Sequence, residues 1–248
     1  MPVIEVEELD APGFYEKLEA LNADLFVVVA FRILPPNILD LPQKGSINLH
    51  SSLLPKYRGA APIHWAIING EEKTGCTVFF LDEKVDTGNI IEQRETEIGP
   101  NETTGDVYKR LKTMGSNLLM DAVDQINRDS YRLQEQDHDK ATPAPKLFTE
   151  DCKIDFSKPA NLVHNKIRGL SPFPTAWAML DDLKFNMYRS EIGPSIDLAP
   201  GRLQMHDDDL IAGCKDGSVV LKKVQLEGKK RMSGKDFMNG YNGHGMLH

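Results

Sequence analysis

The apolar run Leu25 to Ala30 carries no polar side chain. A stretch this short and continuously apolar is what a strand buried on both faces of a parallel sheet requires. Ser46–His50 follows as a second strand that alternates before it breaks into Ser51 and Ser52. Cys76–Asp82 predicts a third strand. Asp86-Thr87-Gly88 predicts a turn, and the β-rich segment Asn89–Ile98 is expected to pair antiparallel across it. Between these runs the spacing changes to three and four. Residues 12–22 (Phe14, Leu18, Leu21, with Asp10 as cap) and Pro62–Asn69 (closed by Gly70) predict helices, and 37–41 after Pro35 and Pro36 a short helical turn. A longer helix is predicted from Thr103 to about Asn127, where Val107, Leu111, Met114, Leu118, Ala122 and Ile126 form one stripe. Strands alternating with helices predict an α/β domain over 1–128, built on a partial doubly wound parallel sheet. Residues 129–151 are polar and aperiodic and read as a linker. Over 152–248 an amphipathic helix (Pro159–Arg168) precedes five short β runs: Thr175–Leu180, Lys184–Arg189, Gly201–Met205, Leu210–Cys214 and Ser218–Leu226. They predict a small antiparallel β-barrel, OB-like, or an open roll. Ser233–Asn239 reads as a last helix, and the tail Gly240–His248 is expected to fray.

Composition adds boundaries. The chain has 248 residues, 40% hydrophobic and 27% charged, an ordinary balance for a globular protein. No apolar run approaches the ~20 residues of a membrane span. The acidic first residues suit neither a signal nor a transit peptide, so the cytoplasm is the expected compartment and no membrane partner is expected. Cys76, Cys152 and Cys214 lie far apart, with neither metal-ligand nor disulfide spacing. The net charge of -8 is unevenly spread. Residues 1–151 hold 15 Lys and Arg against 26 Asp and Glu, whereas 152–248 hold 14 against 11. Only the second half could face nucleic acid on this count, and a small basic excess is more often a solvated surface.

Asn48 and His50 stand two residues apart on one strand and therefore share a face. Asp86, in the turn after the third strand, is expected at the same sheet end as His50. Each alone has a bland explanation: asparagine and aspartate favour turns, and a lone histidine is more often a satisfied structural group. Together they suit acyl transfer to an amine. Histidine moves protons near neutral pH, a neighbouring carboxylate favours its charged form, and an asparagine N–H can donate to a developing oxyanion. No nucleophile-elbow pattern surrounds Ser51 and Ser52, so a covalent route is not expected.

The run Ile47-Asn48-Leu49-His50-Ser51-Ser52-Leu53-Leu54-Pro55-Lys56-Tyr57-Arg58-Gly59-Ala60-Ala61-Pro62, with Asp82 to Gly88 as a second motif, resembles the 10-formyltetrahydrofolate-dependent formyltransferase family. Downstream, Ala144 to Leu147, Ile154 to Phe156, His164 to Leu170, Pro172 to Pro174 and Gly228 to Met232 resemble the branch that carries a C-terminal barrel and formylates initiator methionyl-tRNA. The resemblance implies Asn48, His50 and Asp86 as the catalytic trio. It implies a tetrahydrofolate site along Ser52, Leu53, Leu54 and Pro55, with Arg32, Ile33 and Leu34 beside the pterin. It further implies 10-formyltetrahydrofolate as co-substrate, no metal, initiator methionyl-tRNA as partner, and a monomer. The implied route is direct: the α-amine attacks the formyl carbon, Asn48 and protonated His50 stabilise the oxyanion, and His50, oriented by Asp86, moves a proton to the folate N10. In the family a strand, a glycine turn, a helix, a further strand and a basic loop come before the point at which this sequence begins; they are expected to be lacking here. The competing expectations are a formyltransferase acting on an amino sugar, and an inactive, truncated relative that only binds folate or tRNA.

Overall fold

In a computed structural model the described residues are 3–5, 8–9, 13–29 and 34–248. They form two compact units. The first comprises 1–62, 75–95 and 111–144; the second comprises 63–74, 96–110 and 145–248.

In the first unit, α1 (Phe14–Glu19) precedes β1 (Phe26–Val28), α2 (Pro36–Leu39) and β2 (Ser46–His50). β1 and β2 pair in parallel, Val27 opposite Ile47. β3 (Lys73–Phe80) pairs antiparallel with β2, Asn48 opposite Phe79 and His50 opposite Thr77. β4 (Ile90–Glu97) flanks β3, so the sheet order is β1-β2-β3-β4. The parallel character expected of the sheet therefore resides in the β1–β2 pair. The long helix α4 (Thr104–Asn127) carries the foreseen stripe: Leu111, Leu118, Ala122 and Ile126 are all buried. Gly115 permits its close approach to the sheet, since a Cβ there would lie 3.0 Å from Leu49 and 3.2 Å from Cys76 Sγ. Leu54, Phe79 and Ile90 form a further apolar cluster beneath the loop after β2.

In the second unit, α3 (Pro62–Ile68) and α5 (Ala160–Gly169) accompany an antiparallel sheet of β5 (Ala176–Leu180), β6 (Leu183–Ile192), β7 (Leu203–His206), β8 (Asp209–Cys214) and β9 (Gly217–Leu226). Their order is β5-β6-β9-β8-β7, and β10 (Met232–Ser233) pairs with β9. All five foreseen strands are present, each within a few residues. Their inward side chains (Ala176, Ala178, Leu180, Phe185, Met187, Leu210, Ala212, Val219, Leu221, Val224) form one core with Val163 and Ile167 of α5 and Phe237 of α6 (Gly234–Asn239). The register steps at Met187–Ser190, a bulge of the kind that curves a sheet.

The tail departs from expectation. Leu247 is buried and bridges Leu180 on β5, while Met246 bridges Arg202 beside β7. Met179 and His248 exchange backbone hydrogen bonds, and Leu247 N–H donates to Gly201 O. The last residues thus lie between the two edge strands of the path. An exposed Leu247 and fully unpaired edges would both cost free energy; this arrangement buries Leu247 and pairs part of each edge, while the sheet itself, among the described residues, remains an open path and not a closed barrel.

Candidate active site

β2 ends on His50, whose side chain is buried. Its Nε2 lies 2.8 Å from Tyr57 O. A carbonyl only accepts, so Nε2 carries the proton in this bond, and Nδ1 is the nitrogen left to exchange one. Nδ1 faces Asp86 Oδ2 at 3.8 Å, an ion-pair separation rather than a hydrogen bond. The ring is therefore oriented by the Tyr57 carbonyl, with Asp86 placing negative charge against its other side.

Asp86 reaches His50 by a route the sequence order does not suggest. Because β3 runs antiparallel to β2, Phe80 ends beside Ile47, and Leu81 N–H donates to Ser46 O. The turn after β3 thus leaves from the sheet end opposite His50, contrary to expectation. The loop doubles back along β2 and places Leu81 to Asp86 in one pocket with Asn48, Val28, Leu34 and Leu39. Asp86 is buried and takes a left-handed backbone, φ 54°. Its Oδ2 accepts from Gly59 N–H at 2.8 Å. The structure brings Asn48, His50 and Asp86 together, as expected.

Asn48 Oδ1 is buried and has no hydrogen-bond partner among the described residues. Native buried polar atoms are nearly always paired, so this oxygen points to a bound molecule completing its bonding. The pocket combines apolar side chains (Val28, Leu34, Leu39, Leu81, Val85) with polar and charged ones (Asn48, Asp82, Glu83, Lys84, Asp86), a lining suited to a small molecule with polar groups.

The expected binding run is placed more unevenly. Leu34 lines the same pocket, whereas Arg32 and Ile33 lie outside the described residues. Ser52 is buried and its hydroxyl donates to Lys56 O at 2.6 Å. Leu54 N–H donates to Thr77 Oγ1 at 3.2 Å, and Gln93 Nε2 donates to Leu54 O at 2.8 Å. These bonds hold Ser52–Pro55, which contains a cis Leu54–Pro55 bond, as a fixed turn beside the strand.

Two groups that build the site went unread in the sequence. Gln136 and Thr142 come from the aperiodic stretch 129–151. Gln136, 4% exposed, donates to Asp86 O at 3.0 Å and to Gly88 O at 2.8 Å. Thr142 accepts from Tyr57 N–H through Oγ1 and from Arg58 N–H through its carbonyl. The only trace in the sequence is a run of turn-forming residues, which signals a loop and not what it holds.

Residues 4–123 match the Formyl transferase family, and residues 146–242 match its C-terminal domain family. The methionyl-tRNA formyltransferase of Parabacteroides distasonis is 42% identical over 97% of this chain and 78% of its own length. The chain belongs to the methionyl-tRNA formyltransferase family. Solved structures reproduce the formyltransferase fold at lower identity. HypX from Aquifex aeolicus in complex with tetrahydrofolic acid gives a TM-score of 0.69 at 18% identity, covering 91% of this chain and 40% of that one. WlaRD, a sugar 3N-formyl transferase, gives 0.65 at 23%, covering 86% and 77%. Among the described residues, no helix of this formyltransferase is long and apolar enough to cross a membrane.

Proposed function

We propose that the chain transfers the formyl group of 10-formyltetrahydrofolate to the α-amine of methionyl-initiator tRNA. The observation that carries this reading is the grouping of buried His50 and Asp86 with half-buried Asn48, in a chain 42% identical to a methionyl-tRNA formyltransferase over nearly its whole length. The co-substrate supplies an activated formyl carbon. Its ring would sit between Leu34, Val28 and Leu39, with the Ser52–Pro55 turn alongside; Arg32 and Ile33 directly precede Leu34 in the sequence. An Asn48 N–H donates to the oxygen that gains charge as the amine adds, a contribution worth ~10²–10³-fold in related chemistry. The unpaired Asn48 Oδ1 accepts an N–H of the incoming amine and directs its lone pair. His50 Nδ1 takes the proton the adding amine loses, Asp86 stabilises the imidazolium so formed, and the ring returns that proton to folate N10 as the formyl C–N10 bond breaks and tetrahydrofolate leaves, a relay worth ~10²–10⁴-fold.

On this reading residues 1–128 do the chemistry, with Gln136 and Thr142 of the connecting stretch 129–151 holding their turns, and 152–248 meet the tRNA through the basic run Lys229-Lys230-Arg231. Its substrate places the enzyme in the cytoplasm. A single chain carries all three groups, so a monomer suffices. The purified protein, given 10-formyltetrahydrofolate and charged initiator tRNA, should yield formyl-methionyl-tRNA; an intact fold that yields none would refute the proposal. His50→Ala should abolish transfer while retaining folate binding, and undiminished turnover would remove His50 from this role.

A further inference from the structure

Asp86 is the least obviously anchored member of the site. It sits on a loop that doubles back over the strand, at a backbone angle an L-residue other than asparagine or aspartate seldom adopts. Something must hold that turn at His50. Gln136 has all four hydrogen-bonding positions of its amide directed at the groups around Asp86. Nε2 donates to the carbonyls of Asp86 and Gly88, which bracket the turn. Oε1 accepts from Arg58, at 2.6 Å from Nη2 and 3.2 Å from Nε. Arg58 in turn fixes the next residue, Gly59, whose N–H holds the Asp86 carboxylate. The Asp86 backbone and carboxylate are therefore tied to the same amide, one directly and the other through Arg58 and Gly59. Arg58 Nη2 also lies 2.9 Å from His138 Nδ1, so the same nitrogen that grips Gln136 has a second partner.

A buried amide with every position satisfied defines one geometry, because any rotation leaves a donor or acceptor unpaired at ~1–3 kcal/mol. We propose that Gln136, gripped by Arg58, is the positioning residue of this site: it sets the separation of Asp86 from His50 Nδ1 and so the efficiency of formyl transfer, without touching substrate. The proposal rests on the functional reading above for its kinetic consequence, and on the hydrogen bonds alone for its structural one.

Gln136→Met keeps the side-chain volume and removes every one of these bonds. In the purified full chain kcat should fall by roughly 10–10²-fold, the scale of a misplaced catalytic group, with KM for folate and for tRNA unchanged. The Gly59 amide proton, shifted downfield by its carboxylate acceptor, should move upfield in a ¹H–¹⁵N spectrum. Should Gln136→Met not fold, Arg58→Lys keeps the cation but cannot grip Oε1 with two N–H groups, and should change both readouts in the same direction. A wild-type kcat in either folded variant, or an unmoved Gly59 amide, overturns the proposal. If wild-type protein transfers no formyl group, the functional reading falls, and the Gly59 resonance still decides whether the clamp places Asp86.

Discussion

Gly59→Ala tests how tightly the site is built. Gly59 has φ 121°, outside the small left-handed basin open to other residues. Forcing alanine there costs ~1–3 kcal/mol in backbone strain. The new Cβ would lie 2.8 Å from Ala144 O, closer than such contacts occur, and 3.3 Å from Ala144 C, a tight contact. That carbonyl cannot yield freely, because it accepts from Ala61 N–H while Ala144 N–H donates to Arg58 O at 2.7 Å. Overpacking of this kind costs a further ~1–3 kcal/mol. The expected loss is therefore about 2–6 kcal/mol out of a typical ~5–15. With a urea slope of ~2–3 kcal/mol/M, the unfolding midpoint should drop by ~0.7–3 M. Gly228→Ala is the control, since Gly228 has φ 74° and its Cβ would meet nothing within 4 Å. It carries only the left-handed strain of ~1–2 kcal/mol, or ~0.3–1 M. Urea titrations followed by circular dichroism, run in parallel, separate the two. Equal midpoint shifts would refute the claim that the Ala144 contact resists. Turnover gives a second reading: Gly59→Ala should also lose most of its formyl transfer, because its N–H leaves Asp86 Oδ2.

Three further outcomes are expected. His164 is buried between Ser190 Oγ and Pro100 O, and burial holds its pKa below the ordinary 6.5, with Arg168 nearby adding to the effect. The unfolded chain then binds more protons than the native one below pH 6.5, so stability is full above that value and is lost as pH falls through the folded pKa. His64 shifts in the same direction, through burial, so the test is urea midpoints at pH 7.5 and 5.5 in wild type and His164→Gln; an equal acid loss in both would refute the assignment. Leu118→Ala, at a fully buried position of α4, should cost ~2–5 kcal/mol, with a loss under ~1 kcal/mol counting against that packing. Burial raises the Cys76 thiol to about 11 and the Cys214 thiol to about 12, so a disulfide reagent at pH 8 should label them only after unfolding, whereas rapid native labelling would show them open to solvent.

Local patterns made much of the molecule readable from the chain. Strand and helix positions followed from hydrophobic period, and Ser46–His50 emerged with its predicted limits. The trio was legible because a period of two couples Asn48 to His50 and because Asp86 ends a turn motif. Gln136 was not legible: a lone glutamine in a polar run has no periodicity, and its importance lies in four bonds to groups far away in sequence. The tail was misjudged for a similar reason, since Leu247 is buried by strands about 45 and 65 residues earlier.

The amino-acid sequence by itself determined the element order, the family and the shared face of Asn48 and His50, because propensity, periodicity and motif spacing are local properties of a chain. The tertiary structure alone decided which way the Asp86 loop runs, which nitrogen of His50 stays free, what closes the edges of the second sheet, and that Gln136 locks the turn. Those depend on strand direction and on hydrogen bonds between distant segments, and no local pattern encodes them.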